Sequence, residues 1–371
     1  MEYKNLKIAV LAPSYPSYKK PNMMAFIHSR VRAYQRLGIQ IDVYTISNNK
    51  SKYIFETVNV YNDNLNNIKQ ILTNKIYDSI FIHFLNKEIM DVINDKNKCY
   101  VWVHGFEALS WKRRLFNLNL HFPLYIYQNN KQLKCFRNYI NHHSDTKFIF
   151  VSDWMYRITC HDIKSSIDNY CIIPNYIDNS IFNYNNKDIS QRKKILIVRS
   201  FENRKYANDI SIKFIKELSK KSYFNELTIT IYGVGKYFDK LTQKVTKFNN
   251  VNVCNKFMTQ EEVAKIHKEY GVFLCPTRQD AQGVSMCEAM SSGLVPITSY
   301  NTAIPEFITN KKDGLLCKNN DISTFVDAYE LILNDSDFFM KLSESASKRI
   351  QYQCSFNNTI LKEIKLIPSN F

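Results

Sequence analysis

No apolar run in the chain reaches the roughly 18 to 20 residues that a bilayer-spanning helix needs, so a transmembrane segment is not expected. The short apolar run near the start, KIAVLA, is of strand length and lacks a small-residue cleavage site, so no signal peptide is expected either. Cysteine pairs of the CxxC kind are missing. The nine cysteines (Cys99, Cys135, Cys160, Cys171, Cys254, Cys275, Cys287, Cys317 and Cys354) are scattered and odd in number, and several lie in apolar segments. They read as reduced thiols of a cytoplasmic protein. No RNP pattern, zinc finger or recognition helix accompanies the formal net charge of +16, so that charge is not assigned to nucleic acid. Short repeats and low-complexity tracts are absent too.

What is present is enough chain for two cores. At 371 residues, 45% of them hydrophobic, the sequence suits two domains with a cleft between them. Short β-rich runs (LKIAVLAP, IQIDVYTI, YDSIFIHF, CYVWVHG, KFIFVSD) alternate with segments of helical period such as MMAFIHSRVRAYQRLG, which ends on Gly38. That alternation predicts parallel strands with crossover helices. After the polar stretch NYNNKDISQRKK the pattern restarts with ILIVRSF, LTITIYG, VNVCNKF, VFLCPTR and LVPITS. The expected fold is therefore α/β, with two doubly wound, Rossmann-like domains. Residues 1–180 form the first, 181–194 a linker, 195–350 the second, and 351–371 a helical segment that returns to the first. The cations load two stretches of the first domain, Lys19 to Arg36 and Lys112 to Arg137. Phosphorylated substrates or an anionic membrane surface are the expected partners.

In open parallel sheets, ligands sit beyond the carboxyl ends of strands, where helix N-termini offer free N–H groups. The stretch RQDAQGVSMCEAMSSGLVP, Arg278 to Pro296, has that form: a loop after the strand VFLCPT, then a helix opened by Gly283 and closed by Gly293. The N–H groups of Gly283, Val284 and Ser285 are candidate phosphate ligands. Asp280 and Glu288 would repel a bare phosphate, but ionised carboxylates accept hydroxyls strongly, and a nucleotide sugar carries both groups. The alternative is that Asp280 caps the helix and Glu288 is a solvated helix residue.

Asp280 through Glu288 resembles the E-x7-E motif of retaining, GT-B-fold glycosyltransferases of family 4 (glycosyl transferases group 1). It is followed, as in that family, by a small-residue helix end and a Gly-x-Pro strand. VHGFE, FVSDWM, IIPNYIDNSIF, VRSFENRKYAND and AIPEFI extend the resemblance along most of the chain. There are departures. The first acid is Asp280, Tyr206 replaces a glycine, Asn301, Thr302 and Ala303 replace a glycine pair, and Pro13-Ser14-Tyr15-Pro16 replaces a glycine-rich loop. The resemblance implies a nucleotide-diphosphate sugar as donor substrate, no further cofactor and no catalytic metal. It implies donor-phosphate roles for Arg199 and Lys205, a donor-sugar contact for His104, hydroxyls of the transferred sugar for Asp280, and ribose for Glu288. Leaving-group charge needs fixed cations of this kind. His28 and Arg30 are acceptor-side candidates. His83 either lines the cleft or packs, and Asn175 is a turn residue.

The sequence thus predicts a cytoplasmic, metal-independent, retaining hexosyltransferase, peripheral to the membrane. Its expected acceptor is a hydroxyl on a lipid-linked bacterial surface glycan. Two rivals stand beside this: an inactive partner subunit of the same fold, and a phosphorylase. Asp335-Ser336-Asp337 spells DxD but lies between two helical segments, where Asp is an ordinary N-cap. Gly233-Val234-Gly235 lacks the third glycine of a dinucleotide fingerprint.

Overall fold

The computed structural model describes residues 3, 6–75, 77–93 and 98–367; the end of the expected 351–371 helical segment, residues 368–371, lies outside them. The chain divides into two units, Met1–Tyr176 with Phe356–Phe371, and Ile177–Ser355.

In the first unit, eight strands form one sheet: β1 (Lys7–Ala12), β2 (Gln40–Ile46), β3 (Ser51–Phe55), β4 (Val58–Asp63), β5 (Ser79–His83), β6 (Cys99–Val103), β7 (Lys147–Phe150) and β8 (Tyr170–Ile172). Their order is β3-β4-β2-β1-β5-β6-β7-β8. All neighbours run parallel except β3 and β4, which pair as a hairpin. The central strands are apolar on both faces because helices cover both, as parallel sheets require. Ile8, Val10, Phe81, Trp102 and Ile149 make the core, joined by Ile27, Val31 and Tyr34 of the helix Ala25–Arg36. Ile360 and Ile364, from the C-terminal helix Ile360–Ile364, are buried in this same core.

The second unit holds β9 (Lys194–Val198), β10 (Thr228–Gly233), β11 (Val251–Asn255), β12 (Val272–Leu274), β13 (Val295–Ser299) and β14 (Leu315–Cys317). Their order is β11-β10-β9-β12-β13-β14, parallel throughout. Winding from β9 goes one way through β10 and β11 and the other through β12, β13 and β14. The topological switch point, where such sheets bind ligands, thus lies between β9 and β12. Residues 181–194, expected as a linker, are built into this unit. The buried Lys187 ammonium donates to the His267 carbonyl (2.6 Å), Gln191 to that of Lys268 (2.7 Å) and Arg192 to that of Leu333 (3.0 Å). Burial pulls the Lys187 ammonium down to about 7.

Candidate active site

At the switch point of the second unit, three loops are pinned side by side. Arg278 donates its backbone N–H to the Lys205 carbonyl (2.8 Å), and its guanidinium takes both oxygens of Asp209 at 2.8 Å. This ties the loop after β12 to the loop after β9. The loop after β13 joins through Thr302, whose hydroxyl donates to the Asp280 carbonyl (2.8 Å) and accepts from the Asp280 N–H (3.0 Å). A fourth loop, after β10, supports the first. A Cβ on Gly235, at φ 145°, would stand 2.3 Å from the backbone of Phe201 and Glu202, and one on Gly233 2.1 Å from the Arg199 carbonyl. These glycines let the backbone pack directly under the Arg199 segment.

Arg199 follows β9 and is 6% exposed. Its guanidinium donates to the Ser285 hydroxyl (3.0 Å) and the Cys275 carbonyl (3.0 Å), while its Nε has no hydrogen-bond partner. Five other shielded arginines each have a carboxylate: Arg30 with Glu363, Arg32 with Glu56, Arg113 with Asp162, Arg278 with Asp209, Arg349 with Asp313. Among the described residues, no carboxylate forms an ion pair with Arg199. A buried cation without a counter-ion is costly, and an arriving anion would relieve it. Lys205 is half-buried, its ammonium 5.1 Å from the centre of the Tyr206 ring, which Arg199 also faces at 5.2 Å.

Ser285 places Arg199 at the mouth of the helix Val284–Ser291, whose cap is Gly283 at φ 81°, in the left-handed region that glycine adopts freely. One expectation is corrected here. The Gly283 N–H is taken by Asp280 Oδ1 (2.9 Å), so the free donors of this mouth are the first-turn N–H groups of Val284 and Ser285. Asp280 does hold the loop, but through one oxygen; among the described residues Oδ2 has no partner. Glu288, one helical turn further in, accepts from Gln260 Nε2 (3.0 Å) with Oε1. Burial raises its carboxyl to about 7, against the lowering effect of the Gln260 hydrogen bond.

In the first unit, His104 follows β6 beside His83, the last residue of β5. His104 Nε2 lies 3.0 Å from His83 Nδ1. Glu107, fully buried, accepts the N–H groups of His104 and Gly105 and so fixes the turn. Burial lifts the Glu107 carboxyl to about 7, partly offset by those N–H groups. The two acceptor-side candidates are corrected. Arg30 is 0% exposed, its guanidinium bound to Glu363 (3.0 Å), Asn175 Oδ1 (2.7 Å) and the Pro174 carbonyl (3.3 Å), so it is a core ion pair. His28 is buried as well, with Nδ1 2.8 Å from the Tyr15 hydroxyl and Nε2 2.9 Å from Glu56, so both ring nitrogens are engaged. Asn175 is thereby a partner of Arg30. Asp335 caps the helix Ser336–Gln353, accepting the Phe338 N–H at 2.8 Å. No group of three or more His, Cys, Asp or Glu side chains converges among the described residues.

Comparison with known proteins bears on the second unit and on the fold. Residues 181–349 match the family model of glycosyl transferases group 1. An uncharacterized glycosyltransferase of Haemophilus influenzae is 20% identical over 328 residues, 85% of this chain and 87% of the relative. Among solved structures, sucrose-phosphate synthase from Thermosynechococcus elongatus superposes with TM-score 0.77 at 13% identity, covering 97% of this chain and 98% of that one. A variant of TarM from Staphylococcus aureus, in complex with fondaparinux, alpha-GlcNAc-glycerol and UDP, superposes with TM-score 0.75 at 14% identity, covering 98% and 100%. The fold is GT-B, and residues 181–349, most of the second unit, are similar to glycosyl transferases group 1. The second unit thus has the fold and the matched segment of a glycosyltransferase.

Proposed function

We propose that the second unit holds the nucleotide diphosphate and that the sugar passes to a hydroxyl of a lipid-linked bacterial surface glycan. The observation that carries the first part is Arg199, a buried guanidinium without a carboxylate, aimed at a helix mouth. In this reading Arg199, Lys205 and the N–H groups of Val284 and Ser285 meet the diphosphate. Glu288 accepts ribose hydroxyls through Oε2. Asp280 Oδ2 accepts a hydroxyl of the transferred sugar, and in the first unit His104 remains the candidate donor-sugar residue. The bond from the anomeric carbon to the diphosphate breaks on the face where the acceptor oxygen bonds, and the acceptor proton passes to the leaving phosphate. Arg199 and Lys205 balance the charge that develops, so no metal is required.

The acceptor and the membrane site rest on the surface of the first unit. Leu120 is 96% exposed, and Leu124 and Tyr127 are exposed beside it on the helix Phe122–His142. Lys131 and Lys134 continue the same face at helical spacing. Apolar side chains bordered by lysines suit the interface of an anionic bilayer. Within the basic stretch, Arg113 is already bound to Asp162 at 2.6 Å, so Lys112, Lys131 and Lys134 are the better candidates for lipid headgroups. No helix among the described residues is long and apolar enough to cross a membrane.

The test is nucleoside-diphosphate release from a panel of UDP-, GDP-, ADP- and dTDP-sugars with metal chelated, with and without anionic liposomes carrying a lipid-linked glycan. One donor should turn over, faster with the liposomes. Replacing Leu120, Leu124, Lys131 and Lys134 by Glu should remove only the liposome effect. Turnover of no donor would sink the donor reading, and full liposome response in the quadruple variant would sink the membrane reading.

A further inference from the structure

Glu107, Glu288 and Glu363 are all shielded carboxylates, but they are held differently. Glu107 accepts a backbone N–H on each oxygen, from His104 and from Gly105. Glu363 is engaged on both as well, Oε1 by Arg30 (3.0 Å) and Trp102 (3.1 Å) and Oε2 by Tyr34. Glu288, half-buried on the helix Val284–Ser291, is held on one oxygen only. Its Oε1 accepts from Gln260 Nε2 (3.0 Å), and among the described residues Oε2 has no partner. The donor is itself fixed. Gln260 is the first residue of the helix Gln260–His267, whose start is closed by a capping box: the Glu262 N–H donates to the Thr259 hydroxyl (3.2 Å), and the Thr259 N–H to the Glu262 carboxylate (2.8 Å). At the other end His267 Nδ1 lies 3.1 Å from the Ser292 hydroxyl, which donates to the Glu288 carbonyl (3.1 Å). This helix therefore braces Glu288 twice, by side chain at one end and by backbone at the other, and every residue involved lies in the second unit.

The chemistry of the pair fixes which atoms meet. An ionised carboxylate only accepts, so Gln260 turns its amide NH2, and not its oxygen, to Oε1. A neutral amide also does what a cation would not: it steadies the charge on Glu288 without cancelling it, and Oε2 stays a strong acceptor for a hydroxyl. We propose that Gln260 is a positioning residue that holds Glu288 by Oε1, so that Oε2 is the oxygen presented to the ribose hydroxyls. This rests on the reading of Glu288 as the ribose acid. Left alone, a glutamate on a helix moves among rotamers, and ordering it when a ligand arrives costs affinity. Burial raises the Glu288 carboxyl to about 7, and the Gln260 hydrogen bond opposes that rise. The charged groups on neighbouring elements are committed elsewhere. Glu262 pairs with Lys256 (3.6 Å), and at the helix mouth Arg199 donates to the Ser285 hydroxyl while Asp280 accepts the Gly283 N–H. From the helix Ser336–Gln353 it is the Ser347 hydroxyl that reaches the helix of Glu288, at the Ser291 carbonyl (2.7 Å). Burial, aided by the Lys187 cation, drops the His267 ring to about 3, so the far brace stays neutral.

Carbon NMR of the side-chain carboxyls, on the whole chain without ligand, reads the hold directly, with Glu288→Gln identifying the signal. Gln260→Met keeps the volume and removes the donor, so the Glu288 midpoint should rise by about one pH unit. Gln260→Lys puts a cation in its place and should move the midpoint below that of the wild type. Calorimetric titration then uses two probes, UDP and its dideoxy analogue, which lacks both ribose hydroxyls. At pH 7 a rise of one unit cuts the ionised fraction from about 50% to about 9%, so Gln260→Met should lose about fivefold in UDP affinity from the shift alone. At pH 9 both proteins are ionised, and a remaining loss of about two- to tenfold measures the lost hold. The dideoxy analogue should lose nothing. In the Glu288→Gln background Gln260→Met should leave UDP affinity unchanged, a comparison from which the Lys187 ammonium, itself at about 7, cancels. An unmoved Glu288 midpoint in Gln260→Met, or equal losses for the two probes, would overturn the proposal. So would UDP affinity indifferent to Glu288→Gln, which would leave the diphosphate reading standing. If the wild type bound neither probe, that failure would belong to the diphosphate reading, and the carboxyl titration would still decide the hold.

Discussion

Glu288 offers a titration in which structure sets the size of the effect. Its carboxyl is raised to about 7 by burial, and only its ionised form accepts two ribose hydroxyls without also presenting a proton. If binding selects the ionised form, affinity scales with the ionised fraction, which for a group at about 7 goes from about 9% at pH 6 to about 91% at pH 8. Affinity should therefore rise about tenfold between those values, or about 1.4 kcal/mol. Calorimetric titration with a UDP-sugar is the assay, because the diester diphosphate has no proton to exchange in this range. In Glu288→Gln the slope should vanish, and binding at pH 8 should weaken by about 1 kcal/mol, the difference between a charged and a neutral acceptor. The same shift acts on stability with the opposite sign. The folded chain binds this proton more tightly than the unfolded chain between 4.5 and about 7. The Glu288 contribution therefore favours folding least once pH exceeds about 7, and Glu288→Gln should be relatively more stable there. Glu107, also at about 7, contributes likewise, so the variant-minus-wild-type difference is the quantity to read. A tenfold slope surviving in Glu288→Gln would refute the assignment of ribose to this carboxylate.

Other variants separate roles that one site combines. Asp280→Asn keeps an oxygen for the Gly283 N–H and should lower turnover while leaving UDP affinity in place; Asp280→Ala should also lose about 1 kcal/mol of stability with that tie. Equal losses of UDP affinity in Asp280→Asn and Glu288→Gln would reverse their assignments. Asp335→Ala removes the cap at Phe338 and should cost about 1 kcal/mol in urea unfolding, with turnover in chelator unchanged; turnover abolished by chelation would contradict this. Glu363→Gln leaves the buried Arg30 without its counter-ion and should cost about 3 to 5 kcal/mol in urea unfolding. A cost under about 1 kcal/mol would show that the pair contributes little beyond packing.

The parts legible in the sequence were those carried by local pattern. Ten strands announced themselves as apolar runs because helices cover both faces of each sheet. The β3–β4 hairpin did not, since Ser51, Lys52 and Ile54 are exposed and its turn at Glu56 and Thr57 has no glycine. The three-residue strands β8 and β14 were not read as strands either, whereas β12, equally short, was, because its buried run continues into Cys275 and Pro276. In the candidate site, Asp280 and Glu288 were proposed from position around a helix mouth and Arg199 from the family resemblance; Arg199 and Asp280 do meet at that mouth, through Ser285 and the Gly283 N–H. Arg30 was misread for the opposite reason: its partner Glu363 lies 333 residues away, and no spacing rule reaches that far. Glu107 carries a local signal that was passed over, an acid three residues beyond a strand-end histidine and two beyond a glycine, placed to receive both N–H groups. Gly233 and Gly235 were weighed as a weak nucleotide motif, whereas their close packing on Arg199 to Glu202 accounts for both.

The central claim is that Arg199 and its neighbours bind a diphosphate. Calorimetric titration of UDP, with uridine as control, into wild type, Lys205→Ala and Arg199→Lys tests it most directly. UDP should bind the wild type and uridine only weakly, and each variant should lose about 10- to 100-fold in UDP affinity, the 1.5 to 3 kcal/mol of a charge-assisted hydrogen bond. UDP affinity equal to that of uridine, or unchanged in both variants, would contradict the account.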